Sequence, residues 1–165
     1  KTKGTAAKVA YDGSGIHVGG WYYGEEVGIN YAGSAHGFAD GKLDQWGAEF
    51  AYESESIIAQ AQYLSSTLDL LDSDMDDNLV QDGWYILLGY QADAFQVVAR
   101  YDTINYDQDE VIMPDDFNNE TATTLGVNYL INPNTTLGVN YTWRDLEGVD
   151  ANTDELALIL ETNLF

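Results

Sequence analysis

Trp84-Tyr85-Ile86-Leu87-Leu88-Gly89-Tyr90-Gln91 and, past a short Ala92-Asp93 connection, Phe95-Gln96-Val97-Val98-Ala99-Arg100-Tyr101-Asp102-Thr103 decide the fold class. In the first stretch Trp84, Ile86, Leu88 and Tyr90 take every second position. In the second, Phe95, Val97, Ala99 and Tyr101 alternate with Gln96, Val98, Arg100 and Asp102. A period of two belongs to an extended strand with two unlike faces, whereas a helix repeats its apolar positions every three or four residues. The same alternation runs through Trp46, Ala48, Phe50 and Tyr52 against Gln45, Gly47, Glu49 and Glu53. It returns in Leu125, Val127 and Tyr129, and in Leu137, Val139, Tyr141 and Trp143. Pro114 and Pro133 both fall between such windows, where a missing N–H breaks no ladder.

Working outward, the pattern predicts nine strands, near 4–11, 15–24, 43–53, 56–65, 82–91, 94–105, 120–131, 135–145 and 153–164. The connections alternate in length. Short ones, such as Asp12-Gly13-Ser14-Gly15, Ser54-Glu55 and Asn132-Pro133-Asn134-Thr135, carry turn-forming residues or leave room only for a tight turn. Long ones are expected over 25–42, 66–81, 106–119 and 146–152. Strict short–long alternation through an all-β, antiparallel up-and-down meander is the pattern of a transmembrane β-barrel. Strands of about ten residues suit a tilted crossing of the bilayer.

Composition removes other classes. The chain has 165 residues, 28 Asp+Glu against 6 Lys+Arg and a net charge of -22. So few cations exclude non-specific nucleic-acid binding, which depends on neutralising phosphates. A hydrophobic content of 45% and an aromatic content of 13% argue for a folded chain in spite of the charge. With no cysteine, disulfides, thiol catalysis and Cys-bound zinc are out. His17 and His36 stand apart from any metal-binding spacing, no Gly-x-Ser-x-Gly elbow occurs, and no carboxylate pair has an apolar pocket. An enzyme is not expected, and no cofactor is required. The chain starts at Lys1 without Met or signal peptide, so a processed protein or a piece of one is expected.

The two faces differ in chemistry. On the apolar one, Trp46, Tyr52, Trp84, Tyr90, Tyr129, Tyr141 and Trp143 lie toward strand ends, where a membrane barrel carries aromatic girdles. The other carries Lys8, His17, Glu49, Glu53, Gln60, Gln62, Gln96, Arg100, Asp102, Asn128, Asn140, Arg144 and Glu161. Such a face cannot fill a dry core, but it can line water. These residues are the candidate pore lining.

Two stretches also carry a family resemblance. Phe95 to Asp102 resembles the "ARYD" strand of porins, and Thr123 to Tyr141 is similar to the penultimate hairpin of the phosphate-selective porin O/P family. The terminal Phe165 resembles the barrel-assembly signal of bacterial outer-membrane proteins. The resemblance covers about 82–165 and implies a sixteen-stranded, homotrimeric channel in the outer membrane of a Gram-negative bacterium, embedded in lipid and lipopolysaccharide. Residues 1–165 are then the C-terminal part of one larger barrel. Phe165 falls on the wrong parity unless a bulge lies near Thr162–Leu164.

Other readings stay open beside it. Residues from 15 onward could close a small eight-stranded structural or adhesive barrel, with 1–14 as a tail, or the chain could be a soluble acidic barrel holding a ligand. Asp72, Asp74 and Asp76 form a weak candidate for Mg²⁺ or Ca²⁺ bridging to lipopolysaccharide phosphates, but the calcium-loop pattern fails at Asp77 and Gly83. Gly19-Gly20 predicts close packing beside Trp21 and Tyr23, both on the inward face. Arg100 and Arg144 are expected to oppose Glu49, Glu53 and Asp102 across a pore. Most acids fall in or beside the long connections, so the channel is expected to pass ions and small hydrophilic solutes with mild cation preference.

Overall fold

The computed structural model of the chain describes residues 4–29, 39–70, 78–108, 119–132, 134–147 and 153–162. Nine strands run in chain order: β1 (Gly4–Gly13), β2 (Ile16–Ile29), β3 (Ala39–Glu53), β4 (Ile57–Leu70), β5 (Asn78–Ala92), β6 (Phe95–Gln108), β7 (Glu120–Asn132), β8 (Thr135–Leu146) and β9 (Thr153–Thr162). They form one sheet in the order β1 to β9, each antiparallel to the next. β1 pairs with β2 over its whole length, as a full strand rather than a tail. The sheet is open, with β1 and β9 as its edges.

The short connections are tight turns. Ser14 and Gly15 both have positive φ, 53° and 76°, as a two-residue hairpin turn of the kind that matches strand twist demands. A side chain at Gly15 would place its Cβ 2.3 Å from the Glu53 carbonyl oxygen, so the turn also needs glycine for space. Asp93 takes φ 51°, a conformation its short polar side chain tolerates. Between β7 and β8 the register shifts at Leu130/Asn132, and Asn132 Oδ1 accepts the Asn134 N–H at 2.9 Å.

At the other end the strands overrun the expected limits. β2 reaches Ile29 instead of 24, β3 begins at Ala39 instead of 43, and β4 and β5 extend to Leu70 and back to Asn78. In these extensions the face that is apolar lower down is charged, with Glu26 opposite Lys42 and Lys42 opposite Asp69, while Leu43, Leu68 and Leu79 form a row on the other. The backbone ladder continues there after the apolar positions have changed faces, so the alternation of the lower strand does not carry into it. As a result Glu25, Glu26, Asp40, Asp69 and Asp107, expected in the long connections, stand on strands.

No hydrophobic side chain among the described residues is buried. The residues that are buried are glycines: Gly19, Gly24, Gly41, Gly47, Gly126 and Gly138. Most receive a neighbouring side chain. Glu49 lies over Gly19, the Trp21 ring over Gly47, Asn140 over Gly126 and Asn128 over Gly138. Trp21 therefore packs onto Gly47 of the next strand, while Gly19 makes room for a carboxylate.

The last two of these contacts have a common origin. Thr123–Tyr129 and Thr135–Tyr141 are the same heptapeptide, Thr-Thr-Leu-Gly-Val-Asn-Tyr. Antiparallel pairing centred on Val127 and Val139 sets each glycine opposite the other copy's asparagine and each leucine opposite the other's tyrosine. A Cβ on Gly126 would lie 2.2 Å from Asn140 Oδ1 and 2.8 Å from Val98 Cγ2, and the β-branched valine has little room to give. Gly126→Ala is therefore expected to cost about 1–3 kcal/mol. Gly20→Ala, whose Cβ meets only the Gly47 carbonyl oxygen at 3.6 Å, should stay within about 0.5 kcal/mol. Urea unfolding midpoints of the two variants, folded in the same detergent, check the contrast.

Candidate functional site

The register carries each face across the sheet without interruption. On one side Val18, Phe50, Ala61, Ile86 and Tyr101 form a row, and Tyr90, Val97, Val127, Val139 and Leu158 another. Leu158 is 74% exposed and Leu88 59%, values that a core strand never shows. The seven expected girdle residues all lie on this face. Toward the short turns stand Tyr52, Tyr90 and Tyr129, the last 5.1 Å from Phe95. Toward the long connections Trp46 meets Tyr63 at 5.0 Å, Trp84 meets Tyr101 at 5.5 Å, and Tyr141 meets Trp143 edge-on at 4.5 Å. Just past this second row carboxylates begin. Tyr22 donates to Asp44 at 2.5 Å, Tyr141 to Asp154 at 2.7 Å and Asn105 Nδ2 to Asp82 at 3.2 Å. An apolar band edged by aromatic rings with polar tips is the surface a hydrocarbon layer matches.

All thirteen candidate lining residues share the opposite face, as the pairings Lys8–Trp21, Glu49–Gln62, Gln60–Leu87–Arg100, Gln96–Asn128 and Gly126–Asn140 require. They gather into two charge clusters. Near the first turn, Lys8 Nζ donates to Glu49 Oε1 at 2.7 Å, and His17 lies between Glu49 Oε1 (3.1 Å from Nε2) and Asp12 Oδ1 (2.5 Å from Nδ1). Farther across, Arg100 donates through Nε at 2.8 Å and Nη2 at 2.5 Å to Asp102 Oδ1, with its guanidinium 4.1 Å above the Tyr85 ring. Arg144 Nη1 donates to Glu120 Oε1 at 3.0 Å, and its Nη2 lies 3.6 Å from Glu155 Oε2.

Between the arginines the wall is small and hydroxylic. Thr124 and Thr142 hydroxyls meet at 2.9 Å, and Asn128 Nδ2 donates to Gln96 Oε1 at 2.7 Å. Together with Gln60, Asn140 and Ala157 these residues line an open hollow of about 740 Å³. Glu53 and Glu161 stand on the same face away from the arginines, and Gln62 lines a second hollow with Arg100 and Asp102.

Of the acids expected to face Arg100 and Arg144, Asp102 is paired with Arg100 on its own strand; Arg144 pairs with Glu120 on β7, and Glu49 pairs with Lys8 and His17. Glu120 and Glu155 were hidden from sequence reading because they sit where apolar alternation ends; carrying the parity of Arg144 outward would have found them. Asp72, Asp74, Asp76, His36 and Phe165, with its expected bulge, lie outside the described residues. Among the described residues no three His, Cys, Asp or Glu side chains converge as metal ligands.

Comparison with known proteins agrees with this architecture. The family model described as phosphate-selective porin O and P matches residues 25–165. No curated protein matches the chain. Among solved structures, the outer-membrane protein OmpT of Vibrio cholerae in its in-vitro folded trimer form is similar at 14% identity and TM-score 0.69, over 96% of this chain and 52% of that one. A loop L8 deletion mutant of the same protein is similar at 16% identity and TM-score 0.68, over 95% and 53%. At such identities the likeness is one of fold, and the chain spans about half the length of these structures.

The two faces make opposite demands on neighbouring residues of β9. In a bilayer, Leu158→Arg on the apolar face should cost about 2–4 kcal/mol, whereas Ala157→Arg, one position away in the hollow, should cost less than about 1 kcal/mol. Unfolding of the full-length protein in lipid vesicles measures both, and equal losses would contradict the two-face reading.

Proposed function

The chain belongs to the phosphate-selective porin O and P family, and on that premise we propose that it forms part of the wall of a water-filled outer-membrane channel for ions and small hydrophilic solutes. The observation that carries this reading is the division of one coreless sheet into a face with a continuous apolar band edged by aromatic rings and a face that carries the charged and amide side chains of the hollow. A soluble barrel would bury the first of these. A membrane barrel turns it to lipid and leaves the second to water.

Residues 1–165 are, on this reading, a single barrel region. An open edge cannot stand in hydrocarbon, where each unpaired backbone group costs several kcal/mol, so further strands must continue the ladder from β1 and β9. The relatives' greater length and the sixteen-stranded resemblance support closure by strands outside this stretch. The small eight-stranded alternative loses its ground with β1 paired in full. A homotrimer is proposed by likeness to the structure described as a trimer form. The apolar face and its acidic upper margin are assigned to outer-membrane lipid and lipopolysaccharide.

Selectivity follows from the inward charges. Lys8, Arg100 and Arg144 face Asp12, Glu49, Glu53, Asp102, Glu120, Glu155 and Glu161 on the same side of the sheet. Each cation is already matched, and the surplus is negative. A wet wall of that sign concentrates cations and repels anions, an effect that salt screens. In planar bilayers under a KCl gradient, the full-length protein should show a cation-to-anion permeability ratio above one that falls toward one as salt rises. Absence of conductance, or a preference for chloride, would overturn the reading.

A further inference from the structure

Arg100 and Arg144 stand on one wall of the hollow, on β6 and β8, with only β7 between them. The residues separating them are short: Ala122, Thr124 and Thr142. Two planar guanidinium groups above a hydroxyl-bearing floor have the donors that an oxyanion takes up, since each fork can grip two oxygens of a phosphate or carboxylate. Both are already engaged by carboxylates. Asp102 Oδ1 takes both Nε and Nη2 of Arg100, whose Cζ lies 4.1 Å from the Tyr85 ring centroid. Glu120 takes Nη1 of Arg144, and Glu155 approaches Nη2.

We propose that Asp102, Glu120 and Glu155 are specificity-determining residues that occupy the guanidinium groups of Arg100 and Arg144 and so close a latent oxyanion site in the channel wall. The inference rests on the channel reading above and adds what sets its selectivity. Asp102 lies two residues from Arg100 on the same strand face, and Glu120 lies on the strand beside Arg144, so each carboxylate is tethered within reach of its arginine. A free anion at millimolar concentration competes poorly with a tethered partner of the same chemistry. The cancellation is also electrostatic, because a guanidinium with a carboxylate at 2.5–3.0 Å presents little net charge to an approaching ion. These three acids thus do more than add negative charge. They withdraw the two cations that could have served an anion.

The test is made on the full-length protein in planar bilayers, with Asp102→Asn, Glu120→Gln and Glu155→Gln combined. The amides keep the size of the acids and can still accept a hydrogen bond, but they remove the charge that neutralises the two guanidinium groups. The cation-to-anion permeability ratio is expected to fall by about threefold or more and to pass below one. Inorganic phosphate added at millimolar concentration should then reduce the chloride current, as it does not in the parent protein. Adding Arg100→Gln and Arg144→Gln to the triple variant should abolish that block. A conducting triple variant with an unchanged ratio, or a phosphate block that survives loss of both arginines, overturns the proposal while leaving the channel intact. Should the triple variant fail to insert, Asp102→Asn alone decides: it must move the ratio in the same direction, and no shift rejects the proposal. A parent protein that opens no channel overturns the underlying reading instead.

Discussion

Backbone pairing is the constraint on which everything else in this chain depends. A sheet without a buried hydrophobic core has no interior to hold it together from within. Its coherence comes from eight consecutive antiparallel ladders and from side chains that lock across them. In water such a sheet would be marginal, because exposed apolar surface contributes nothing until a neighbour covers it. Hydrocarbon covers it without competing for a single N–H or C=O, so each ladder bond is worth more there than in water. The buried glycines fit the same logic. What is packed away is backbone, under a carboxylate, an indole or an amide from the adjoining strand.

Much of this was legible in the residues. Trp84–Tyr90 and Phe95–Tyr101 alternate so regularly that strand type, face assignment and hairpin connection follow together, and the expected girdle and lining residues fall on opposite faces of the sheet. Legibility ended where the apolar positions changed faces. Glu26, Lys42 and Asp69 form a paired row on the face that is apolar lower down, while Leu43, Leu68 and Leu79 line the other, so the period of the lower strand breaks there. The same blind spot hid Glu120 and Glu155, and with them the real partners of Arg144. Packing over glycine was also out of reach, since Gly19, Gly20 and Gly47 look alike in a sequence and only the register says which receives Trp21.

Local pairing changes the meaning of the charge on the inner wall. Sequence parity puts basic and acidic residues on one face, which suggests a field drawn across an opening. The geometry instead pairs the basic residues at short range, Lys8 with Glu49, Arg100 with Asp102 and Arg144 with Glu120, so their fields decay within a few ångströms. A wall can therefore carry arginines whose charge is already taken up by neighbouring carboxylates. Presence of a residue type and availability of its charge are separate properties.

The extension of the strands past the aromatic row matters for more than pores and ions. From Trp46 in the aromatic row back to Ala39, β3 continues as paired strand for seven residues, roughly 23 Å along its length at about 3.3 Å per residue. Its neighbours β2 and β4 accompany it for much of that distance. The sheet thus stands above the lipid as a stiff collar, and whatever joins Ile29 to Ala39 starts well clear of the membrane surface. For an engineer this is a ready pedestal. A foreign peptide spliced between those two strand ends would be presented to antibodies or cells at a height fixed by backbone geometry, without touching the part of the wall that faces the solute.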